Sequence, residues 1–479
     1  MHTNLEIKNP GSQRIHFIAI GGSAMHNLAI ALYHKGYSIS GSDDAIMEPS
    51  RSRLKELNLL PEQEGWFPEK ITAQLDAVIL GMHARADNPE LKKAQELGIK
   101  IYSYPEYLYE FSKKKKRVVI GGSHGKTTIT AMILHVLKHA NVDFDYMVGS
   151  KLDGFETMVK LTEKSPVIIL EGDEYLSSPV DRRPKFHLYR AHVALLSGIA
   201  WDHINVFPTF ENYIEQFQIF ADHIPADGAL VYCDNDEAVK KVVLHSKSPG
   251  KKISYGIPEY EIMNGVTFLK IRESQPGNQS KLDRLALEIF GMHNLMNVEG
   301  ARKVCNLLEI TDDKFYDAIA SFKGASGRME LLAKNESVSI YKDFAHSPSK
   351  LKATTEAVKQ QFPDRKIIAC MELHTFSSLS GGFLEQYKGS MDMADEAIVY
   401  FNPHTLEHKK LPMISAEQVQ HAFGNSQVKV VTDSKKLADY LVAMDYRNTV
   451  LIMMSSGNFD GMNLKSFTLD IIQKTYTAV

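Results

Sequence analysis

Residues 118–137 read VVIGGSHGKTTITAMILHVL. Val118, Val119 and Ile120 are apolar β-formers, Gly121, Gly122 and Gly125 interrupt them, and Ile129, Met132, Ile133, Val136 and Leu137 then recur at helical spacing. Strand, glycine-rich loop and helix in that order are the building unit of a parallel α/β sheet. Amides of such a loop, at a helix N-terminus, face an open cradle in which the positive end of the helix favours an anion. A triphosphate fits there: Lys126 reaches the outer phosphates as a point charge, and the Thr127 hydroxyl can ligate the accompanying magnesium. The usual phosphate-loop pattern has a glycine five residues before Gly125, where this chain has Ile120. A glycine-rich turn beside a surface lysine is the plain alternative.

The chain is long enough, at 479 residues, for about three domains with cores of their own. Its hydrophobic share of 44% and charged share of 24% are those of an ordinary globular protein. A net charge of −3 gives no general attraction to nucleic acid or to an anionic membrane. Small-molecule substrates are expected as partners, with a monomer or weak dimer as the assembly. Cys233, Cys305 and Cys370 are too far apart to form a metal-ligand pattern and suit a reducing cytosol. No run approaches the roughly 18 apolar residues that span a bilayer, so a cytoplasmic location is expected.

Before the central loop, residues 15–20 (IHFIAI) read as a buried parallel strand leading into Gly21-Gly22-Ser23-Ala24-Met25 and a helix through His34. A second strand, 37–40, ends at Gly41-Ser42-Asp43. Taken alone this is a dinucleotide-binding unit with Asp43 as the ribose acid, except that Ala19 and Ala24 replace the first and last glycines of the fingerprint. Strands follow at 77–80 and 99–105, and the basic run 113–117 (KKKKR) reads as a solvated linker.

After the loop, a strand at 167–170 ends in Glu171-Gly172-Asp173-Glu174. Ligands gather beyond the carboxyl ends of strands in such sheets, so these acids are expected to face the crevice of Lys126. A hard cation takes one or two carboxylates with phosphates and waters, and Glu171 is the expected ligand with Glu174 beside it. Acids stabilising a helix N-terminus are the alternative. The strand 193–199 ends in Trp201-Asp202-His203, and 225–285 reads as strands and loops. In GMHNLMN, 291–297, Asn294 and Asn297 can present donor and acceptor to a base edge, or cap a helix. Strands at 338–341, 366–371 and 450–454 again end in polar residues, which implies another open sheet.

The loop GGSHGKTT resembles the short GTHGKTT loop of the Mur ligase family, which builds the peptide of bacterial cell-wall precursors. Five further segments are similar to family motifs in the same order. GGSAM with SGSD resembles the site for UDP-N-acetylmuramate, which implies substrate contacts from Gly21, Gly22, Ser23, Ala24, Met25, Ser42 and Asp43, with His83 in the wall. The loop itself, Gly122, Ser123, His124, Gly125, Lys126, Thr127 and Thr128, would hold ATP. Asp202-His203 resembles the pair whose histidine binds a second magnesium, giving Thr127, Glu171, Glu174 and His203 as metal ligands. His293, Asn294 and Asn297 match the adenine segment, Arg328 in GRME the arginine on the ATP phosphates, and Asp343 with His346 in DFAHSP the ribose segment. Lys342 and Ser347 depart from the muramate–alanine ligase pattern, and Gln218 stands where several members carry a carbamylated lysine.

Residues 171–190 resemble the murein peptide ligase branch of that family at Tyr175, Asp181, Arg182, Lys185-Phe186 and Tyr189-Arg190. Arg182 and Lys185 would then face an acidic peptide; a solvated loop is the alternative. The resemblance implies an α/β protein of three domains. These are a Rossmann-like UDP-binding domain (1–112), a central P-loop ATPase-type domain with a parallel sheet (113–320) and a Rossmann-like C-terminal domain (321–479). It implies an amide ligase using ATP and Mg2+ that joins UDP-N-acetylmuramate to L-alanyl-γ-D-glutamyl-meso-diaminopimelate through an acyl phosphate. Lys126, Glu171, His203 and Arg328 would be catalytic, and domain closure would precede chemistry. The alternatives are addition of L-alanine, a non-catalytic nucleotide-binding protein on the same scaffold, and, from 15–43 alone, a nicotinamide dehydrogenase.

Overall fold

Strand β1 (Arg14–Ile18) is the centre of a first sheet with β2 (Ser38–Ser42), β3 (Ala77–Leu80) and β4 (Ile101–Ser103), in the order β2-β1-β3-β4 and parallel throughout. The computed structural model describes residues 13–202, 206–272, 282–325 and 327–477. β3 is an apolar run buried throughout, and β1 buries every side chain but Arg14, with its His16 bonded to Ser40 and Glu90, as strands covered on both faces must. The last strand is shorter than the expected 99–105. Ser103 accepts from Glu106 N, and Glu106 Oε2 accepts from Ser103 N at 2.8 Å. This reciprocal cap starts the helix Tyr104–Ser112 and ends the strand.

The second sheet has seven strands: β5 (Lys116–Gly121), β6 (Phe144–Met147), β7 (Val159–Lys160), β8 (Val167–Glu171), β9 (Val193–Leu196), β10 (Ala229–Cys233) and β11 (Lys251–Tyr255). Their order is β11-β10-β9-β5-β8-β6-β7. The glycine loop after β5 therefore leaves the sheet between β8 and β9, with both neighbours parallel to β5. The strand ends at Glu171 and Leu196 flank that loop.

The basic run 113–117 is not the solvated linker expected. Only three residues separate the helix Tyr104–Ser112 from β5, and Lys115 and Arg117 are buried. Lys115 pairs with Asp145 at 2.7 Å and donates to the Thr162 and Ser165 carbonyls. Arg117 donates to the carbonyls of Ser112, Lys113, Tyr189 and Arg190. A cation can be buried once its donors are met by carbonyls and a carboxylate, and here they are.

An antiparallel sheet, β12 (Tyr260–Met263), β13 (Val266–Arg272) and β14 (Leu282–Leu287), precedes the last one. The last sheet comprises β15 (Glu330–Lys334), β16 (Val338–Asp343), β17 (Lys366–Glu372), β18 (Glu396–Tyr400), β19 (Lys429–Val431) and β20 (Thr449–Met454), ordered β15-β16-β20-β17-β18-β19. All its pairs are parallel except β15 with β16. On β17, Ile367, Ala369 and Met371 join one core, and Ile368 and Cys370 the other. That alternation packs both faces of the sheet.

The chain divides into two compact units, Met1–Ile199 with Thr209–Ser254 and Ala200–Pro208 with Tyr255–Val479. Among the described residues no helix is long and apolar enough to cross a membrane.

Candidate active site

In the first unit the loop after β5 is held by glycine conformations and by the end of β9. Gly125 caps the helix Lys126–His139 with φ +79°, and Gly122 has φ +131°. A Cβ on Gly122 would run into the Ser197 hydroxyl. That hydroxyl donates to the His124 carbonyl, and Ser123 N donates to Gly198 O at 2.9 Å. The loop is thereby fixed as an open turn at a helix N-terminus, with Thr128 buried in the first turn beyond it.

The charged side chains follow from the strand ends. Lys126 Nζ donates to Gly122 O at 2.6 Å and pairs with Glu174 Oε2 at 2.7 Å. Burial alone would lower the Lys126 pKa, but Glu174, Asp173 and Glu171 outweigh it and hold the ammonium raised. Burial likewise pushes Asp173 up, while Lys185, at 2.5 Å, and Lys126 pull its carboxyl well below the usual range. Thr127 Oγ1 donates to Glu171 Oε1 at 2.7 Å, and Gly149 N donates to Glu171 Oε2 at 2.7 Å. Cis oxygens of an octahedral magnesium, with bonds of about 2.1 Å, lie about 3 Å apart, so the Thr127–Glu171 pair fits that ion in both donor type and spacing. Glu174 is placed differently: one oxygen takes Lys126 and the other accepts from the Tyr213 hydroxyl at 2.9 Å. Arg182 is exposed. His203 lies outside the described residues.

The loop after β1 gathers the residues assigned to the nucleotide sugar. Ala19 takes φ +66° at the position of the fingerprint's first glycine, with its amide on Ser42 O at 2.9 Å. Asp43 Oδ2 accepts from Gly21 N at 2.7 Å. Burial raises the Asp43 pKa, and the Gly21 amide opposes that rise. Ser42 is buried; Ser23, Ala24 and Met25 open the helix Ser23–His34. His83 is exposed and stands close to Gly22.

In the second unit Asp343, at the end of β16, accepts from Met329 N and Ala345 N, each at 2.8 Å, and from Thr354 Oγ1 at 3.1 Å. This ties the Arg328 turn to the strand end, and the Arg328 guanidinium lies 4.3 Å from the Phe344 ring centroid. Burial lowers the pKa of His293, opposed by the nearby Asp343. Burial and Lys350 bring His346 down to about 3, so both rings are neutral at pH 7. Asn294 donates to Phe290 O at 2.9 Å, Asn297 is buried, and Lys350 pairs with Asp202 at 3.9 Å.

Tyr213 was not expected from the sequence. It sits inside an amphipathic helix, Phe210–Asp222, where an aromatic residue reads as core, and no motif marks it.

Three family models match the chain: the catalytic domain of the Mur ligase family over residues 14–116, the Mur ligase middle domain over 120–305, and the Mur ligase glutamate ligase domain over 327–457. A UDP-N-acetylmuramate–L-alanine ligase of Clostridium kluyveri is 31% identical over 402 residues, covering 82% of this chain and 83% of its own. Among solved structures, a murein peptide ligase of Psychrobacter arcticus matches with TM-score 0.65 at 21% identity, covering 96% and 99% of the two chains. A UDP-N-acetylmuramate–alanine ligase of Thermotoga maritima matches with TM-score 0.68 at 19% identity, covering 97% and 100%.

Proposed function

The chain belongs to the Mur ligase family, whose members are ATP-dependent ligases that form a C–N bond, and from that premise we propose that it joins UDP-N-acetylmuramate to L-alanyl-γ-D-glutamyl-meso-diaminopimelate. The observation that carries the peptide reading is the basic segment beside the phosphate loop. Lys185 rests on Asp173, next to Lys126, and Arg182 is exposed three residues earlier. Carboxylates of an acidic peptide suit such a segment, whereas L-alanine needs no such extended basic surface. The name of the Clostridium kluyveri relative favours L-alanine as a second reading.

The chemistry has two steps. The lactyl carboxylate of the nucleotide sugar attacks the γ-phosphorus, ADP leaves, and an acyl phosphate forms. The amine then attacks the acyl carbon, the tetrahedral adduct expels phosphate, and the amine loses a proton. The protein's contribution is positioning and neutralisation of charge. Lys126 supplies a cation to the outer phosphates, Arg328 a second one, and the loop amides bind the phosphate oxygens. Thr127 and Glu171 would hold magnesium, which when bound neutralises the phosphate charge. Asp343 keeps the Arg328 turn in place. Asp43 fixes the first loop for the diphosphate of the sugar nucleotide.

The test is phosphate release from ATP with UDP-N-acetylmuramate and magnesium, comparing the tripeptide with L-alanine. Turnover with the tripeptide is expected. Turnover with L-alanine alone moves the protein to the second reading, and turnover with neither refutes both.

A further inference from the structure

The phosphate loop is tied to a helix through a closed ring of side chains. The Tyr213 hydroxyl donates to Glu174 Oε1 at 2.9 Å and lies 2.9 Å from the Ser123 hydroxyl, which then acts as donor to it. Glu174 Oε2 accepts from Lys126 Nζ at 2.7 Å. Ser123 and Lys126 belong to the loop, so the ring runs from the loop through the helix and the β8 end and back to the loop. Tyr213 and Glu174 are essentially inaccessible, and the tyrosine ring is fixed edge-on against Phe217 with centroids 5.1 Å apart.

We propose that Tyr213 is a positioning residue for ATP, its hydroxyl fixing the Glu174 carboxylate and, through it, the Lys126 ammonium at the phosphate loop. This rests on Lys126 being the lysine that meets the phosphates. A buried carboxylate must have a donor on each oxygen, and here the lysine serves one and the phenol the other. With the phenol hydroxyl removed, Glu174 Oε1 loses the donor that fixes it, and the carboxylate holds the Lys126 ammonium at the loop less firmly. The loss falls on the phosphate end of ATP and spares the adenosine end.

The experiment is calorimetric binding of ATP and of AMP to Tyr213→Phe and, in parallel, to Lys126→Ala, with KM measured for ATP and for UDP-N-acetylmuramate. Tyr213→Phe is expected to keep the wild-type melting temperature within a few degrees and to bind ATP about tenfold more weakly. Its AMP affinity and its KM for the nucleotide sugar should stay within twofold of wild type. Equal weakening of ATP and AMP would mark Tyr213 as a packing residue and overturn the inference. Wild-type ATP affinity in Tyr213→Phe, with ATP binding lost in Lys126→Ala, would overturn it while leaving the lysine assignment intact. Wild-type ATP affinity in Lys126→Ala would overturn the assignment beneath it. Should Tyr213→Phe fail to fold, Glu174→Gln tests the carboxylate through which the hydroxyl acts: it is expected to weaken ATP severalfold with AMP unchanged, and an unchanged ATP affinity would overturn the inference.

Discussion

The loop after β1 and the loop after β5 both carry a buried parallel strand through paired glycines into a helix, yet they present opposite chemistry. In the first, a carboxylate from the neighbouring strand, Asp43, accepts the Gly21 amide, and Ser42 O accepts the amides of Ala19 and Ile20. In the second, no carboxylate is bonded to the glycine amides of the loop among the described residues. Instead a hydroxyl, Ser197, holds a loop carbonyl and a lysine follows at once. The left-handed turn can be an alanine in the first loop because it is braced by two amide bonds to one carbonyl. It must be glycine at 122, where Ser197 fills the space a Cβ would take. A strand–glycine loop–helix is thus a neutral frame, and the residue that meets its amides decides what anion it takes.

The contrast breaks first at Lys126. If the second loop is the one for triphosphate, Lys126→Ala should lower kcat/KM for ATP by about 10³-fold, as loss of a positioned charge stabiliser does. Steady-state kinetics with a wild-type KM for the nucleotide sugar would sharpen the contrast, and unchanged ATP turnover would remove it. Gly122→Ala adds a methyl where Ser197 stands, at a φ that L-residues avoid, and should cost about 3 kcal/mol, read in urea unfolding together with weakened ATP binding. A fully stable Gly122→Ala would mean the loop has room that the geometry denies it.

The first loop should answer differently. Asp43→Ala removes the acceptor of Gly21 N and should raise KM for UDP-N-acetylmuramate about tenfold, near 1.5 kcal/mol, with KM for ATP unmoved. A change in the ATP constant instead would show that the two loops are not separate sites. The smallest effect belongs to Ala19→Gly. Relief of about 1–2 kcal/mol of left-handed strain is opposed by about 0.5–1 kcal/mol of added unfolded-state entropy. The net is a gain of about 0.5 kcal/mol, visible as a slightly higher melting temperature. A clear loss would mean that the Ala19 methyl packs well enough to repay its strain.

What could be read from the sequence follows the same division. Residues at strand ends were legible, because the strand pattern is local and its carboxyl end is where polar groups collect; Lys126, Glu171 and Asp343 all stand at or just past such an end. The helix cap at Ser103 was present as Ser-x-x-Glu and went unread in favour of an extended strand. Tyr213 was illegible because its periodicity is that of core packing and its hydroxyl's partners come from segments 39 and 90 residues away. Lys115 and Arg117 were misread for a related reason. A run of cations reads as solvated unless one knows which carbonyls surround it, and Tyr189 O and Arg190 O are more than 70 residues distant.

That basic run has a practical side. Its four lysines and one arginine offer trypsin a target that it could use only by drawing the chain out into its cleft. Arg117 grips the carbonyl of Ser112, Lys115 is pinned to Asp145, and β5 begins at Lys116. Cleavage or insertion there would unravel the strand that carries the glycine loop before Lys126. A site that composition marks as the natural place to cut this protein in two is therefore one where limited digestion should leave it whole, and where a fusion partner should not be spliced.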